Sequence, residues 1–339
     1  MLDYLLFITF YRRYLIMNIG IAYDTASMYD IRTDGTYYDF AEQASINNLK
    51  HIIDSLGYNV ELIGNTKNVL ARIQNNDFDF DLIYNTVEGI NSRNREGMLP
   101  SILEYYNIPY MGTDAFGLSL TLNKLFTKIL AEKLGICTPK YFCADIYMTQ
   151  DQLDYGLKFL HKPIILKPNF EGNSSGICVA DSHLEALNML KILLEKYKTS
   201  ILCEEFIYGT EITVPVIGNE SDNMLIGATT VDIQQNDDFW LDINCKVFGD
   251  YKNVPLSSKD LNEELSQISK KLFFSIGCRD FARFDFRVDN EKKIFFIEAN
   301  PLPALFAGGS FDVLGQCVGL SFAETIDLMI KTSVKRLNL

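Results

Sequence analysis

Residues 283–300 constrain this chain more than any other stretch. Arg283-Phe284-Asp285-Phe286 and Phe295-Phe296-Ile297-Glu298-Ala299-Asn300 alternate polar with apolar side chains, the period of a half-buried strand. Asp289-Asn290-Glu291-Lys292 between them has the composition of a four-residue hairpin loop. Pairing Val288 with Lys293 would set Arg283 opposite Glu298 and Asp285 diagonal to it, with Asn300 on the same face. Two carboxylates and an amide carbonyl converging there make a hard-oxygen site, suited to Mg²⁺ rather than zinc. A salt-bridged hairpin with a polar outer face would use the same residues. The acids, however, stand among Phe and Ile, where an unpaired carboxylate is costly, and a cation removes that cost.

The chain around this hairpin has 339 residues, room for two or three domains and a large core. Its formal net charge of −13 argues against nucleic-acid partners and anionic membranes. Local lysines and arginines can still hold a nucleotide. Seven cysteines are scattered without CxxC spacing, as in a cytoplasmic protein with reduced thiols. His51, His161 and His183 form no metal pattern. The apolar stretch 1–16 is too short to span a bilayer. Arg12 and Arg13 follow its apolar run rather than precede it, unlike a signal peptide. It reads as a dispensable extension before the first strand, and no stable membrane insertion is expected.

From Met17 to Gly112 the pattern alternates strand and helix, which implies a parallel sheet with helices on both faces. Expected elements are a strand from Asn18, a helix over 39–56 ended by Gly57, strands over 60–63 and 81–85, and a helix over 98–106. No GxGxxG follows the first strand, so a dinucleotide site of that type lacks support. Ligands are expected at the strands' carboxyl ends, which carry Asp24, Glu88 and the loop 93–96. One long helix is expected over 114–135. A smaller α/β segment follows, with strands over 141–144, 163–167, 177–180 and 201–205 and helices over 151–160 and 183–197. Strands over 211–217 and 224–233, an irregular polar stretch over 236–255, and helices over 258–276 and 322–337 complete the reading.

Three further pieces carry chemistry. Lys167-Pro168-Asn169-Phe170-Glu171-Gly172-Asn173-Ser174-Ser175-Gly176 lies between two strands, and its small residues let several backbone N–H groups face one concavity, as phosphate oxygens require. An ordinary hairpin turn has a similar composition. Leu202-Cys203-Glu204-Glu205-Phe206-Ile207 is an apolar strand end bearing acids, where an adenine can lie edge-on, with Glu211 near enough to take ribose hydroxyls. A solvated acidic strand end would read the same way. Lys124 is one of several lysines on its helix, as on a solvated face, whereas Arg283 stands beside the acids and can stabilise charge growing on a substrate.

The order and spacing of these pieces resemble the ATP-grasp superfamily, and most nearly the D-alanine–D-alanine ligases. The matching run is Asn123-Lys124, then Pro163-Ile164-Ile165-Leu166-Lys167-Pro168 with its glycine loop, then Glu204-Glu205-Phe206-Ile207, then the hairpin. Glu88-Gly89, Arg95-Glu96, residues 99–104 and 107–112, and Ile276-Gly277-Cys278-Arg279 extend it to nearly the whole chain from Met17. The resemblance implies an α/β and α+β fold of ATP-grasp type with an N-terminal parallel-sheet, Rossmann-like domain. It divides as an extension 1–16, a substrate domain 17–112, a central lid domain 113–208, and a C-terminal domain 209–339 with the metal site.

The family's roles then fall on matching residues. Lys124 and Lys167 would contact ATP phosphates under the loop Gly172, Ser174, Ser175 and Gly176. Glu204, Glu205, Phe206 and Ile207 would frame adenine, and Glu211 the ribose. Asp285, Glu298 and Asn300 would hold two Mg²⁺, with Mn²⁺ able to substitute. Arg283 would steady the reacting carboxylate, Lys246 would belong to a loop closing over the site, and Glu42 would meet the first substrate's ammonium. The implied activity is ATP-dependent joining of small amino acids through an acyl phosphate, in a cytoplasmic protein that could form a homodimer and belongs to peptidoglycan biosynthesis. Departures fall on the amino-acid pocket: Val247 where the family has tyrosine after the loop lysine, Asn173 where it has serine, Pro301-Leu302-Pro303-Ala304 in place of a Pro-Gly turn, and no Gly-Gly after the first strand. A different amino acid, a carrier-protein thiol as acceptor, or a non-catalytic nucleotide-binding regulator stay open on this reading.

Overall fold

The computed structural model describes residues 16–29, 40–172, 175–232 and 252–339. The segment 1–15 and the residues Asn173, Ser174, Lys246 and Val247 lie outside them.

The expected parallel sheet is there. Strands β1 (Asn18–Tyr23), β2 (Asn59–Gly64), β3 (Leu82–Thr86) and β4 (Tyr110–Met111) run parallel in the order β2-β1-β3-β4. Between them lie helices α1 (Gln43–Ser55), α2 (Thr66–Gln74) and α3 (Arg95–Tyr105). Successive strand residues feed opposite faces. Ile19, Ile21, Leu82 and Tyr84 pack with Ile46 and Ile53 of α1, whereas Ala22 and Ile83 pack with Val69 of α2 and Leu99 and Leu103 of α3. Helix α1 starts at Gln43, four residues later than expected, and is followed by Gly57 at φ +95°, a conformation glycine adopts without strain.

The long helix expected over 114–135 is two helices, α4 (Ala115–Leu122) and α5 (Lys124–Lys133). Asn123 separates them in extended conformation, φ −89° and ψ 94°, and its side chain caps α5 by accepting from Phe126 N. Asn169, in the loop after the lysine strand, fastens the break. Its Nδ2 donates to Asn123 Oδ1 at 2.9 Å, and its Oδ1 and backbone oxygen accept from Leu125 N and Lys124 N. The helix breaks because these two amide side chains satisfy the N–H groups that a helix start leaves open. Both helices carry apolar residues onto the C-terminal core, among them Leu120, Leu130 and Ala131.

The lid follows. Strands β5 (Tyr141–Ala144), β6 (Ile164–Pro168), β7 (Cys178–Ala180) and β8 (Ile201–Glu205) form an antiparallel sheet in the order β5-β8-β6-β7. Helices α6 (Gln150–Leu157) and α7 (His183–Tyr197) cover it, burying Leu153, Leu157, Leu190 and Leu194 against Ile164, Leu166 and Cys203.

The C-terminal part holds β9 (Thr210–Ile217), β10 (Leu225–Ile226), β11 (Thr229–Asp232), β12 (Lys252–Pro255), α8 (Lys259–Ile276), β13 (Phe281–Val288), β14 (Ile294–Asn300), α9 (Ser310–Cys317) and α10 (Phe322–Leu337). The sheet order is β12-β11-β9-β13-β14, with β10 on β9. The strand expected over 224–233 is interrupted at Gly227-Ala228, where Ala228 N leaves the ladder and donates to Asn262 Oδ1 of α8 at 2.7 Å. Residues 252–255, expected to be irregular, pair with β11. Helix α2 is the second helix of the expected alternation, whereas α9 was not expected.

The hairpin register also differs from the expected one. Val288 pairs with Ile294, Asp285 lies opposite Glu298, and Arg283 lies opposite Asn300. A bulge after Asp285 leaves Ile297 as the extra residue, since Phe286 pairs with Phe296. Bulging turns Ile297 and Glu298 to the same side, and both line one cleft, while Phe296 and Ala299 stay in the core with Phe284 and Phe286.

The first and last parts meet at Asp280, which is fully buried at φ +65°. It accepts from Gly112 N at 2.8 Å, Asn219 Nδ2 at 2.8 Å, Ser333 Oγ at 2.7 Å and both Nε and Nη2 of Arg336 at 2.7 Å. No helix among the described residues is long and apolar enough to cross a membrane. The bent pair α9 and α10, apolar by composition, buries Phe311, Leu314, Ile326, Met329 and Ile330 inside the molecule.

Candidate active site

The lid sheet and the C-terminal hairpin face each other across one cleft. Lys167, Gly172 and Ser175 line it from the lid, Lys124 from the start of α5, and Asp285 and Glu298 from the hairpin. Glu204, Glu205, Phe206, Ile207 and Glu211 line it along the chain that joins β8 to β9. Most residues singled out in the sequence therefore share one wall or another of a single cavity.

The lysines arrive by two routes. The break at Asn123 makes Lys124 the first residue of α5, with 11% of its side chain exposed. Its Nζ donates to Glu171 O at 2.6 Å and lies 3.5 Å from Glu298 Oε2. Lys167 points inward from β6 and lies 2.5 Å from Glu204 Oε2. A third lysine, Lys128, stands one turn after Lys124 on α5. It is fully buried, pairs with Glu204 Oε1, and donates to Phe296 O of β14 at 3.4 Å. Sequence reading passed over Lys128, although its i, i+4 spacing from Lys124 was visible.

These charges set one another's protonation. Burial disfavours the Glu204 carboxylate, but the two ammonium groups outweigh it and hold its pKa below the usual range. Burial also works against Lys167, whose pKa nevertheless rises because Glu204 and Glu298 are near. For Lys128 burial prevails. Its pKa is pushed down to about 8, with Glu204 opposing the shift and Lys167 adding to it.

The glycine loop bends over the lysines. Ser175 N donates to Gly172 O at 2.9 Å. Gly176 sits at φ +73°, and a Cβ there would lie 2.6 Å from the Tyr197 hydroxyl, so the loop closes only with glycine. Ser175 is buried, its hydroxyl has no hydrogen-bond partner among the described residues, and it lines the cleft. From the opposite side, Arg95 Nη1 donates to Phe170 O at 2.6 Å, tying the N-terminal domain to the loop.

At the other end Phe206 lies under the Arg287 guanidinium, 5.0 Å from ring centroid to Cζ. Arg287 also donates to Gly209 O at 2.8 Å and lies 3.8 Å from Glu211 Oε2. Arg287 was missed, yet the period of two that sets Arg283 and Asp285 on one face sets Arg287 there too. Glu205 lines the cleft but engages its carboxylate outside the pocket, accepting from His161 N at 2.9 Å.

On the hairpin, Arg283 grips Asp285 with two bonds, Nε to Oδ1 at 3.0 Å and Nη2 to Oδ2 at 2.9 Å. Thr213 Oγ1 and Asn300 Nδ2 donate to the same carboxylate at 3.2 and 2.9 Å. No three His, Cys, Asp or Glu side chains gather as a metal cage among the described residues. Two facing carboxylates and an amide nonetheless match Mg²⁺, which takes one or two protein carboxylates and completes its shell with phosphate oxygens and water. Glu42 is not brought into the cleft. It is exposed at the N-cap of α1. Ser174 and Lys246 lie outside the described residues.

Comparison with known proteins identifies the family and the fold. Residues 130–331 match the family model described as D-ala D-ala ligase C-terminus. A D-alanine–D-alanine ligase of Xylella fastidiosa is 28% identical over 250 residues, 73% of this chain and 80% of its own. Among solved structures, the D-alanine–D-alanine ligase of Bacillus anthracis complexed with ATP superposes with a TM-score of 0.71 at 19% identity, over 94% of this chain and 98% of its own. The VanG D-Ala:D-Ser ligase of Enterococcus faecalis gives 0.72 at 18% identity, over 94% of this chain and all of its own. The fold is therefore the ATP-grasp fold.

Proposed function

Since the chain belongs to the D-alanine–D-alanine ligase family, a family of C–N bond-forming enzymes, we propose that it joins two small amino acids through an acyl phosphate made from ATP, with D-alanine as the leading substrate. One observation supports this above the others: two lysines and a glycine loop face two hard carboxylates across one cleft that runs on to Phe206, Ile207 and Glu211. That is the layout an elongated, anionic nucleotide needs.

A carboxylate resists direct attack by an amine because it is a poor electrophile with a poor leaving group. Phosphorylation cures both faults. In this reading the chain mainly positions the reactants and neutralises charge. Lys124 and Lys167 take phosphate oxygens, and the backbone of the loop Gly172 to Gly176 covers them. Glu204, Phe206 and Ile207 hold the base, and Glu211 the ribose. Asp285, Glu298 and Asn300 would hold Mg²⁺, with Mn²⁺ able to replace it; when bound, the metal screens the phosphate oxygens from the incoming carboxylate. Arg283 stands beside Asp285, where its guanidinium can stabilise the substrate carboxylate as charge grows. Lys246 and Ser174 belong to the loops closing over the substrates, and Glu42 to recognition of the first ammonium. The proposal keeps the division at residues 112 and 208. It also keeps a cytoplasmic location, which the six free cysteines among the described residues support.

A second reading retains the chemistry and changes the substrate. It is favoured by the departures at Val247, Asn173 and Leu302-Pro303-Ala304, which fall on the amino-acid pocket and spare the ATP and metal positions. A lost hydrogen-bond donor can alter selectivity by orders of magnitude. One experiment decides. Phosphate release and product mass are followed with D- and L-amino acids, singly and in pairs, and with a carrier thiol as acceptor. A clear preference for two D-alanines, at about 1 per second or faster, establishes the first reading. Preference for another pair establishes the second, and no turnover with any acceptor overturns both.

A further inference from the structure

Lys167 is committed twice. Its Nζ lies 2.5 Å from Glu204 Oε2, yet the proposed function, on which this inference rests, needs the same ammonium on a phosphate. If it left, Glu204, only 2% exposed, would be a carboxylate in a dry interior, and an uncompensated buried charge is costly. Lys128 removes the difficulty. It approaches the other oxygen of the same carboxylate, has no exposed surface, and is held from behind by Phe296 O. Its ammonium has no open path toward the cleft, and Lys128 does not line it.

We propose that Lys128 is the fixed counter-ion of Glu204, a positioning residue that frees Lys167 to move between Glu204 in the empty enzyme and a phosphate group in the loaded one. The division of labour follows from burial. Lys167 lines the cleft and can turn within it; Lys128 cannot. In the empty enzyme three ammonium groups, those of Lys124, Lys128 and Lys167, face two carboxylates, Glu204 and Glu298, which leaves one cation in excess. A phosphate group entering the cleft supplies the missing anion, so the excess charge is a stored preference for an anionic ligand. Without Lys128, Lys167 would be the only cation left on Glu204, and phosphate would have to compete for it.

The test compares binding of adenosine with binding of Mg²⁺-ATP, because only ATP carries the group that Lys167 would reach. In Lys128→Met the affinity for ATP should fall roughly ten- to a hundredfold, the worth of one charged hydrogen bond, while adenosine affinity changes less than threefold or so. Lys128→Met/Glu204→Gln should recover the wild-type ratio of ATP to adenosine affinity, because a neutral amide no longer holds Lys167. Equal weakening of both ligands would mark Lys128 as merely structural and overturn the proposal, as would an unchanged ATP affinity or a double variant that fails to recover. If Lys128→Met does not fold, the double variant carries the test alone: a preserved ratio supports the proposal and a collapsed one refutes it. Wild-type protein that binds neither ligand would remove the proposed function and this inference together, a result distinct from failure in the variants only.

Discussion

Asp285 lies directly across the hairpin from Glu298, and each carboxylate already has a cation beside it, Arg283 for the first and Lys124 for the second. Both acids are therefore paired and aimed before any metal arrives. Glu298→Gln keeps the shape and removes the charge. Turnover should fall by more than the roughly 10- to 100-fold that a metal ligand's outer partners usually cost, and the Mg²⁺ concentration for half-maximal rate should rise. Steady-state rates across a Mg²⁺ titration check this. An unchanged rate and Mg²⁺ dependence would mean the metal is held elsewhere.

Asp280 predicts a stability effect without a direct role in chemistry. Asp280→Asn retains the left-handed backbone, which Asn tolerates, but loses the charge that faces the Arg336 fork. Breaking a buried pair from one side costs about 3–5 kcal/mol, so the urea midpoint should drop markedly. Denaturation at neutral pH measures it, and a loss under about 1 kcal/mol would show that Arg336 behaves as a surface partner.

Lys128 predicts a pH-dependent stability with a definite sign. Burial puts its folded pKa near 8, below that of an unfolded lysine. Below about pH 8 the group is charged in both states and the fold bears the whole burial cost. Between about 8 and 10.4 the unfolded chain holds a proton that the folded chain has released, so stability from this group rises with pH. Relative to Lys128→Met, the parent should therefore gain stability between pH 7 and pH 10. Chemical denaturation of both proteins at the two pH values reads this directly, and the reverse trend would show that the lysine charge is favoured in the fold.

The break between α4 and α5 should matter to nucleotide binding. Asn123→Ala removes the cap of α5 and the acceptor for Asn169, costing about 1 kcal/mol for the cap and loosening the lysine that follows. KM for ATP should rise several-fold while kcat changes less. An equal fall in kcat would place the break closer to the chemistry than its hydrogen bonds imply.

Much of this was legible in the chain, and the misses have physical causes. Alternation set Asp285, Glu298 and Asn300 together on one face of the hairpin. The register differs by one residue at the turn, where the loop takes in Lys293 with Lys292 at φ +66°, and by one more at the bulge, where Phe295-Phe296-Ile297 puts three apolar residues in a row, a run that a strict period of two cannot hold. The bulge is the structure's answer, and the run itself was the available signal. The break at Asn123 depends on Asn169, 46 residues away, which no local pattern contains. Lys128 resembled a surface lysine because its burial is imposed by β8 and β14, both remote in sequence. Glu42 was carried to its role by resemblance alone, and its exposed side chain gives no independent reason to choose it.

The knot at Asp280 has a consequence for the order in which the molecule can be made. It joins Gly112 to a residue 168 positions later, and Arg336 reaches back 226 positions to Tyr110 O. Contacts this remote form late, because a long loop must close before they give any return. During synthesis the parallel sheet and the lid can each collapse as they emerge. The floor of the cleft cannot lock against the first domain until residue 336 has been added. A nascent chain would thus carry the completed hairpin unlocked from the parallel sheet while residues 301–336 are still being added.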